Sequence, residues 1–303
     1  MSESHNGQVK PTISAILLVH NEEKKILNCL ESLKFVNEIV AVFDKSTDDS
    51  EKIFDNFCND HKRIKFIKHN GSWNIEGERR NIALNLASSD WLLEIDCDEV
   101  ISSKLAQEIL LQINKKHQEI IKLNLDNTDQ EANKIKLSQT ITHFYLTINN
   151  YIGSRHIKYG WLRTMAVASR NSISYNKTKI YNQDSEIHPT YNIIGNNITL
   201  NNPLFHYMDD NICDFITRFN RYTNWRANDL ILKEKIKVDK NNNSCCKKIF
   251  VLIKEIYGFK FRFIKSFFIK KGYKEGVIGL VIAIFAGIYP LISRAKALEK
   301  INQ

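Results

Sequence analysis

Four strand-like runs separated by helix-like stretches confine the first hundred residues to one kind of architecture. Residues 13–19 are almost continuously apolar, and the segment after them carries Ile26, Leu27, Leu30 and Leu33 on one helical face. Residues 38–43 form a second run, closed by the polar turn 44–50 and followed by a helix through Ile53, Phe54 and Phe57. Residues 63–68 read as a third, more amphipathic strand, and 76–87 as a helix leading into the fourth run, 91–95. Strands alternating with helices of about a dozen residues predict a parallel sheet covered on both faces. Ligands of such sheets bind beyond the carboxyl ends of the strands.

Polar residues gather at those ends. His20, Asn21 and Glu22 follow the first run, Asp44 and Asp48 the second, Asp96 and Asp98 the fourth. Asn21 is suited to cap the first helix, whose positive end the neighbouring glutamates would favour. In 89–99 an apolar strand ends in a cluster of carboxylates, and alternation along an extended chain puts Asp96 and Asp98 on one side with Cys97 on the other. Two hard oxygen ligands there suit Mg²⁺ or Mn²⁺ shared with substrate phosphates. Asp-x-Asp alone would equally describe an acidic surface turn; its position among the other strand ends favours the ligand.

The chain of 303 residues is 43% hydrophobic and 25% charged, enough for a sizeable core in one large domain or two. Its net charge of +9 favours polyanionic partners, whether nucleic acid, anionic lipid or phosphorylated substrates. Residues 1–12 are polar and lack the apolar centre of a secretory signal, so a cytosolic chain is expected. The six cysteines have no metal-ligand spacing and are expected to be reduced thiols.

Blocks 16–23 (ILLVHNEE), 42–48 (VFDKSTD), 78–84 (ERRNIAL) and 91–99 (WLLEIDCDE) resemble, in order, the successive blocks of family 2 glycosyltransferases. Their spacing is similar to the branch that adds sugars to the lipopolysaccharide core. The resemblance implies a nucleotide-diphospho-sugar transferase fold, an α/β Rossmann-like, mostly parallel sheet with helices on both faces. It also implies a nucleotide-sugar donor such as UDP-glucose, a divalent metal (Mg²⁺ or Mn²⁺), inversion at the anomeric carbon and a lipid-linked glycan acceptor. His20, Asn21 and Glu22 would then line the donor site. Asp44 would accept a hydrogen bond from the uracil imide, its other reading being a turn or capping aspartate. Arg79 and Arg80 lie on different helical faces, so only one is expected at the sheet end; the resemblance assigns Arg80 to the donor diphosphate, against a solvated helix arginine. Asp98 would bind the metal, Asp96 the ribose or a metal-bound water, and His206 the diphosphate or metal, unless it is structural. A nucleotidyltransferase would need a Gly/Lys-rich phosphate loop after the first strand, where 19–22 reads VHNE. A non-catalytic envelope-glycan-binding protein remains as another class.

An inverting transferase needs a base for the acceptor hydroxyl, usually a carboxylate. The branch carries a His-Glu pair after its acceptor segment, whereas here Glu186-Ile187-His188-Pro189 has proline in the glutamate's place. Either Glu186 is the base from a shifted position, or His188 contacts the acceptor and another carboxylate does the work. Residues 158–163 resemble the acceptor-side Gly-Trp segment, which makes Trp161 and Arg163 candidates for acceptor binding; Trp161 either stacks on a sugar or fills the core.

Beyond the fourth strand a helix is expected to about residue 116, variable surface over 119–139, and strands at 144–148 and 203–205. The expected organisation is a disordered start at 1–11, a catalytic domain at 12–210 and a helical, basic and aromatic region at 211–303. In the last region 212–232 reads as a helix, and 276–292 is almost uncharged but interrupted by Gly279, Gly287 and Pro290. At about 17 residues it is short for a membrane span. It reads as a hairpin on the inner leaflet held by the preceding basic and aromatic residues, or as a buried helical pair. A cytoplasmic protein peripherally attached to the inner face of the membrane follows. Nucleic acid is not expected as a partner, since no binding module accompanies the basic residues.

Overall fold

The computed structural model describes residues 10–73, 75–125, 129–162, 165–183, 189–232 and 245–302. The chain divides into two compact units, Met1–Ile148 with Met165–His206, and Asn149–Thr164 with Tyr207–Gln303.

In the first unit β1 (Ile13–Val19), β2 (Glu38–Asp44), β3 (Lys65–Gly71) and β4 (Trp91–Glu94) are joined through α1 (Ile26–Ser32), α2 (Ser50–Asp60) and α3 (Glu76–Leu86). They pair in parallel in the order β3-β2-β1-β4. β5 (Glu99–Ile101), α4 (Ser103–Ile121) and α5 (Gln130–Ser138) follow, and then β6 (Ile141–Ile152), β7 (Arg155–His156) and β8 (Met165–Tyr175). A small ribbon, β9 (Lys179–Tyr181) with β10 (Tyr191–Ile193), precedes the long β11 (Asn196–Asp209). The sheet continues from β4 as β8-β6-β11-β5, with β8 antiparallel to β4 and β6, and β5 antiparallel to β11. The sheet is therefore mixed, with its first four strands parallel and β8 and β5 antiparallel to the strands they join.

Alternation sorts the core into two layers. Ile13, Ala15, Leu17, Ile39, Ala41, Phe43, Trp91 and Leu93 meet α1, α2 and α4, while Ile16, Val40, Val42 and Leu92 meet Ala83 and Leu84 of α3. Helices thus cover both faces. Leu27 lies outside the apolar face expected of it and is 48% exposed, because α1 begins only at Ile26 and turns Cys29, Leu30 and Ile26 inward. Asn21 does not cap α1, whose N-cap is Lys25 without a side-chain bond. Residues 119–139, expected as irregular surface, hold the end of α4 and all of α5, where Asp129 accepts from the Ala132 N–H as an N-cap.

The second unit holds β7 against the end of β6, α6 (Ile212–Leu232), α7 (Cys245–Ile264), a π-helical turn at Lys265–Ile269, a 3₁₀ turn at Gly272–Glu275 and α8 (Gly276–Asn302). Arg218 fixes α6 to buried Asp209 through two hydrogen bonds of 2.8 and 2.6 Å. Buried Glu275 accepts from Arg155 and from the Lys158 and Tyr159 N–H groups. The expected hairpin at 276–292 is instead part of one continuous helix with Pro290 inside it. Gly287 does not break that helix but receives a neighbour: a Cβ there would stand 2.6 Å from the ring of Phe259. Gly272–Ile301 is long and apolar enough to cross a membrane by length and composition.

Candidate active site

Parallel pairing brings the carboxyl ends of β1, β2, β3 and β4 to one edge, and the polar residues after β1, β2 and β4 meet there. Asn21 adopts a left-handed backbone, φ 57°, which turns the chain sharply out of β1. Its side-chain oxygen accepts from the Thr47 N–H at 2.8 Å, and the His20 ring nitrogen Nδ1 lies 2.6 Å from the Asp44 carbonyl oxygen. The Glu22 N–H donates to Ser50 Oγ at 2.7 Å, and that of Glu23 to Asp48 at 2.9 Å. Asp48 also accepts from the Ser50 N–H, so it is the turn aspartate of this loop. The Asp44 carboxylate is held by Arg79 Nη1 at 2.6 Å.

Asp96 and Asp98 stand on the turn between β4 and β5. Cys97 between them is buried and its thiol points at the Leu18 carbonyl, while both aspartates are partly exposed. A buried cysteine thus stands between two partly exposed aspartates, and the segment is a turn rather than the extended strand expected: the Glu99 carboxylate accepts from the Asp96 N–H, and the Glu99 N–H donates to the Asp96 carbonyl. Burial, reinforced by the surrounding carboxylates, pushes the Cys29 and Cys97 thiols well up, so they stay protonated. Antiparallel pairing sets His206 opposite Glu99, and its Nε2 lies 3.2 Å from Asp98 Oδ2.

Both arginines of α3 reach the strand ends, where only one was expected to. Arg80 is turned inward, 3% exposed, with Nε donating to Glu76 at 2.8 Å and the guanidinium 3.4 Å from Glu94 and 3.5 Å from Asp96. Burial alone would weaken its charge, but the oxygens of Tyr181, Glu76, Asp96 and Glu94 outweigh it and hold the guanidinium protonated. Its companion Arg79 carries a buried Nε with no hydrogen-bond partner among the described residues.

Sequence reasoning missed the layer beneath. Glu94, wholly buried, is bound by the Lys179 ammonium and the Tyr181 hydroxyl, both from β9. Asn81 of α3 clamps β9 by bonding both the N–H and the carbonyl of Tyr181 at 2.8 Å. Gly77 makes the approach possible, since a Cβ there would lie 2.3 Å from the Asn182 carbonyl oxygen. A charged residue inside the apolar run 91–95 was the available signal, because a buried charge requires partners. Nothing comparable marked Lys179, which is buried while its neighbour Ile180 is 58% exposed.

The Asp98 carboxylate is the hard oxygen donor that Mg²⁺ or Mn²⁺ takes when substrate phosphates complete its shell, and the His206 nitrogen 3.2 Å away is a softer one. Among the described residues no group of three or more His, Cys, Asp or Glu forms a full cage. With Asp98 as its oxygen donor, the pair would fit an ion whose remaining ligands come from substrate. Trp161 lies in the second unit, packed against the cluster of Ile152, Ile157, Met208, Phe215 and Ile282, its ring 5.8 Å from that of Tyr289. Glu186, His188 and Arg163 lie outside the described residues.

A 3-2-1-4 parallel sheet extended by antiparallel strands, with carboxylates at the exit of β4, is the fold of nucleotide-sugar transferases. Residues 14–180 match the family described as Glycosyl transferase family 2, and the chain belongs to that family as a glycosyltransferase that uses a nucleotide sugar. An uncharacterized glycosyltransferase of Rickettsia conorii is 25% identical over 286 residues, 92% of this chain and 87% of that protein. A poly(ribitol-phosphate) beta-glucosyltransferase of Bacillus spizizenii is 33% identical over 98 residues, 30% of this chain and 16% of that protein. Among solved structures, the mannosyltransferase PcManGT from Pyrobaculum calidifontis, in complex with GDP-Man and Mn²⁺, shares the fold with a TM-score of 0.51 at 10% identity, covering 96% of this chain and 88% of that one.

Proposed function

We propose that the protein transfers a hexose from a UDP-sugar, such as UDP-glucose, to a lipid-linked envelope glycan of the lipopolysaccharide-core type, with inversion at the anomeric carbon. The observation that carries this reading is the junction of Asp44, Asp96, Asp98 and His206 with two arginines at one sheet edge. Asp44, held by Arg79, offers its carboxylate to the uracil imide. The acceptor hydroxyl attacks the anomeric carbon, the bond to the diphosphate breaks, and the hydroxyl proton passes to a carboxylate, for which Glu186 is the choice. Asp98 and His206 would hold the divalent metal, which supplies charge neutralisation to the departing diphosphate. Arg80, assigned to the donor diphosphate, also reaches Asp96 at 3.5 Å and so helps to orient that carboxylate toward the donor.

The acceptor reading draws support from charge distribution. Residues 245–303 contain twelve Lys and Arg against three acids, whereas residues 1–244 balance at 31 against 31, so the whole excess of +9 lies in the last two helices and the turns between them. On the described part of α7 and the following turns, exposed Ile253, Ile256, Tyr257, Phe261, Ile264 and Phe268 run as one stripe flanked by lysines. Such a face suits the anionic inner leaflet, where a lipid-linked acceptor is held.

The test is turnover of a panel of UDP- and GDP-hexoses with Mn²⁺. Wild type is expected to act on a UDP-hexose, and Asp98→Ala to lose roughly 100-fold or more in kcat/KM. Glu186→Gln is expected to lose transfer while still binding UDP. Equal turnover by wild type and Asp98→Ala would remove the metal assignment.

A further inference from the structure

Two buried ions, Glu94 and Lys179, have no part in the chemistry above. Both oxygens of Glu94 are engaged, Oε1 by Lys179 Nζ at 2.5 Å, and Oε2 by the Tyr181 hydroxyl at 2.5 Å and Arg80 Nη1 at 3.4 Å. Lys179, with a side chain 1% exposed, also donates to Ser172 Oγ at 2.9 Å and sits over the rings of Tyr181 and Tyr191, 4.7 and 4.4 Å from their centroids. A buried ion pair is poor value for stability alone, since apolar residues of the same volume often do as well. This one continues into the site: Arg80 shares its guanidinium among Glu94, Glu76 and Asp96. Among the described residues two cations, Lys179 and Arg80, thus face Glu94, Glu76 and Asp96, of which Asp96 is the partly exposed member.

We infer that Lys179 is a positioning residue for the donor site: by neutralising Glu94 it leaves Arg80 held between Glu76 and Asp96, and so fixes the Asp96 carboxylate. Without Lys179, the dry Glu94 keeps Arg80 as its cation among the described residues and draws it inward, away from Asp96. The effect on the donor rests on the reading of Asp96 given above; the effect on Arg80 does not.

The experiment compares wild type, Lys179→Met, Lys179→Arg and the double variant Lys179→Met with Glu94→Gln, in which one positive and one negative charge vanish together. Two quantities are read: UDP affinity in the presence of Mn²⁺ by calorimetry, and the Arg80 Nε–H resonance by ¹⁵N NMR. Lys179→Met is expected to shift the resonance and weaken UDP roughly 10- to 100-fold. Lys179→Arg is expected to retain most of the affinity, and the double variant to recover both quantities. A double variant as impaired as the single one, or a single variant indistinguishable from wild type, overturns the proposal. If Lys179→Met does not fold, a folded double variant matching wild type in both quantities supports it, and one that has lost both overturns it. If wild type binds neither UDP nor GDP, the donor reading falls by itself, and the resonance decides the fate of Lys179: a shift in Lys179→Met supports the positioning role, no shift refutes it.

Discussion

His143 illustrates what burial does to a single side chain. It is fully buried on β6 beside the Thr142 hydroxyl, and desolvation, with Lys179 adding to it, pushes its pKa down to about 3. In the unfolded chain the same ring takes a proton near pH 6.5, so below that value the unfolded state binds more protons and the fold loses stability. The loss begins as the pH falls through about 6.5 and continues toward 3, amounting to about 2 kcal/mol between pH 7 and pH 5. His117, also buried and shifted down, adds in the same direction. Denaturant titrations at the two pH values check this: His143→Phe is expected to lose markedly less than wild type, and identical losses would contradict it. At this scale the sequence was readable where polarity met a strand end, as in the placing of Asp44, Asp96 and Asp98 at the ends of β2 and β4, whereas the cap expected of Asn21 is instead a bond to the Thr47 N–H. It was opaque at Lys179, because the partner that makes a lysine tolerable inside lies 85 residues away at Glu94.

Strands proved easier to read than helices with glycine in them. β1 and β2 are apolar on both sides because both faces of the sheet are covered, and such runs announce themselves. α5 gave no signal because its one buried residue is Leu137, too little to make a period. α8 misled for the opposite reason: Gly279, Gly287 and Pro290 look like interruptions, yet the glycines lie on the packed side, where small residues admit Phe259 and the Gly272 carbonyl. Gly287→Ala tests the point. Helix propensity alone would favour alanine by about 1 kcal/mol, but the added methyl must displace the Phe259 ring, and overpacking typically costs ~1–3 kcal/mol. A lower melting temperature is expected, recovered by Phe259→Leu, whereas a higher one would show that Gly287 merely weakens the helix.

For the molecule as a whole, the division of charge matters more than its total. A neutral catalytic region and a basic, partly apolar C-terminal region predict binding to vesicles containing phosphatidylglycerol, weak binding to phosphatidylcholine alone, and release by salt. Phe261→Glu and Ile264→Glu, both at exposed positions, are expected to reduce vesicle co-flotation at least about tenfold without lowering the melting temperature. Undiminished flotation would remove the stripe on α7 from the membrane. α8 carries this division into a single element. Ile282, Ala283, Ala286 and Ser293 are enclosed, while Val277, Leu280, Ile284, Leu291 and Leu298 look outward. The inner row is constrained by shape, because a neighbour already fills the space; the outer row is constrained only by being oily. Mutations can therefore accumulate on one side of the helix and be purged from the other, so that distant relatives are free to differ along its outer row while keeping the inner one.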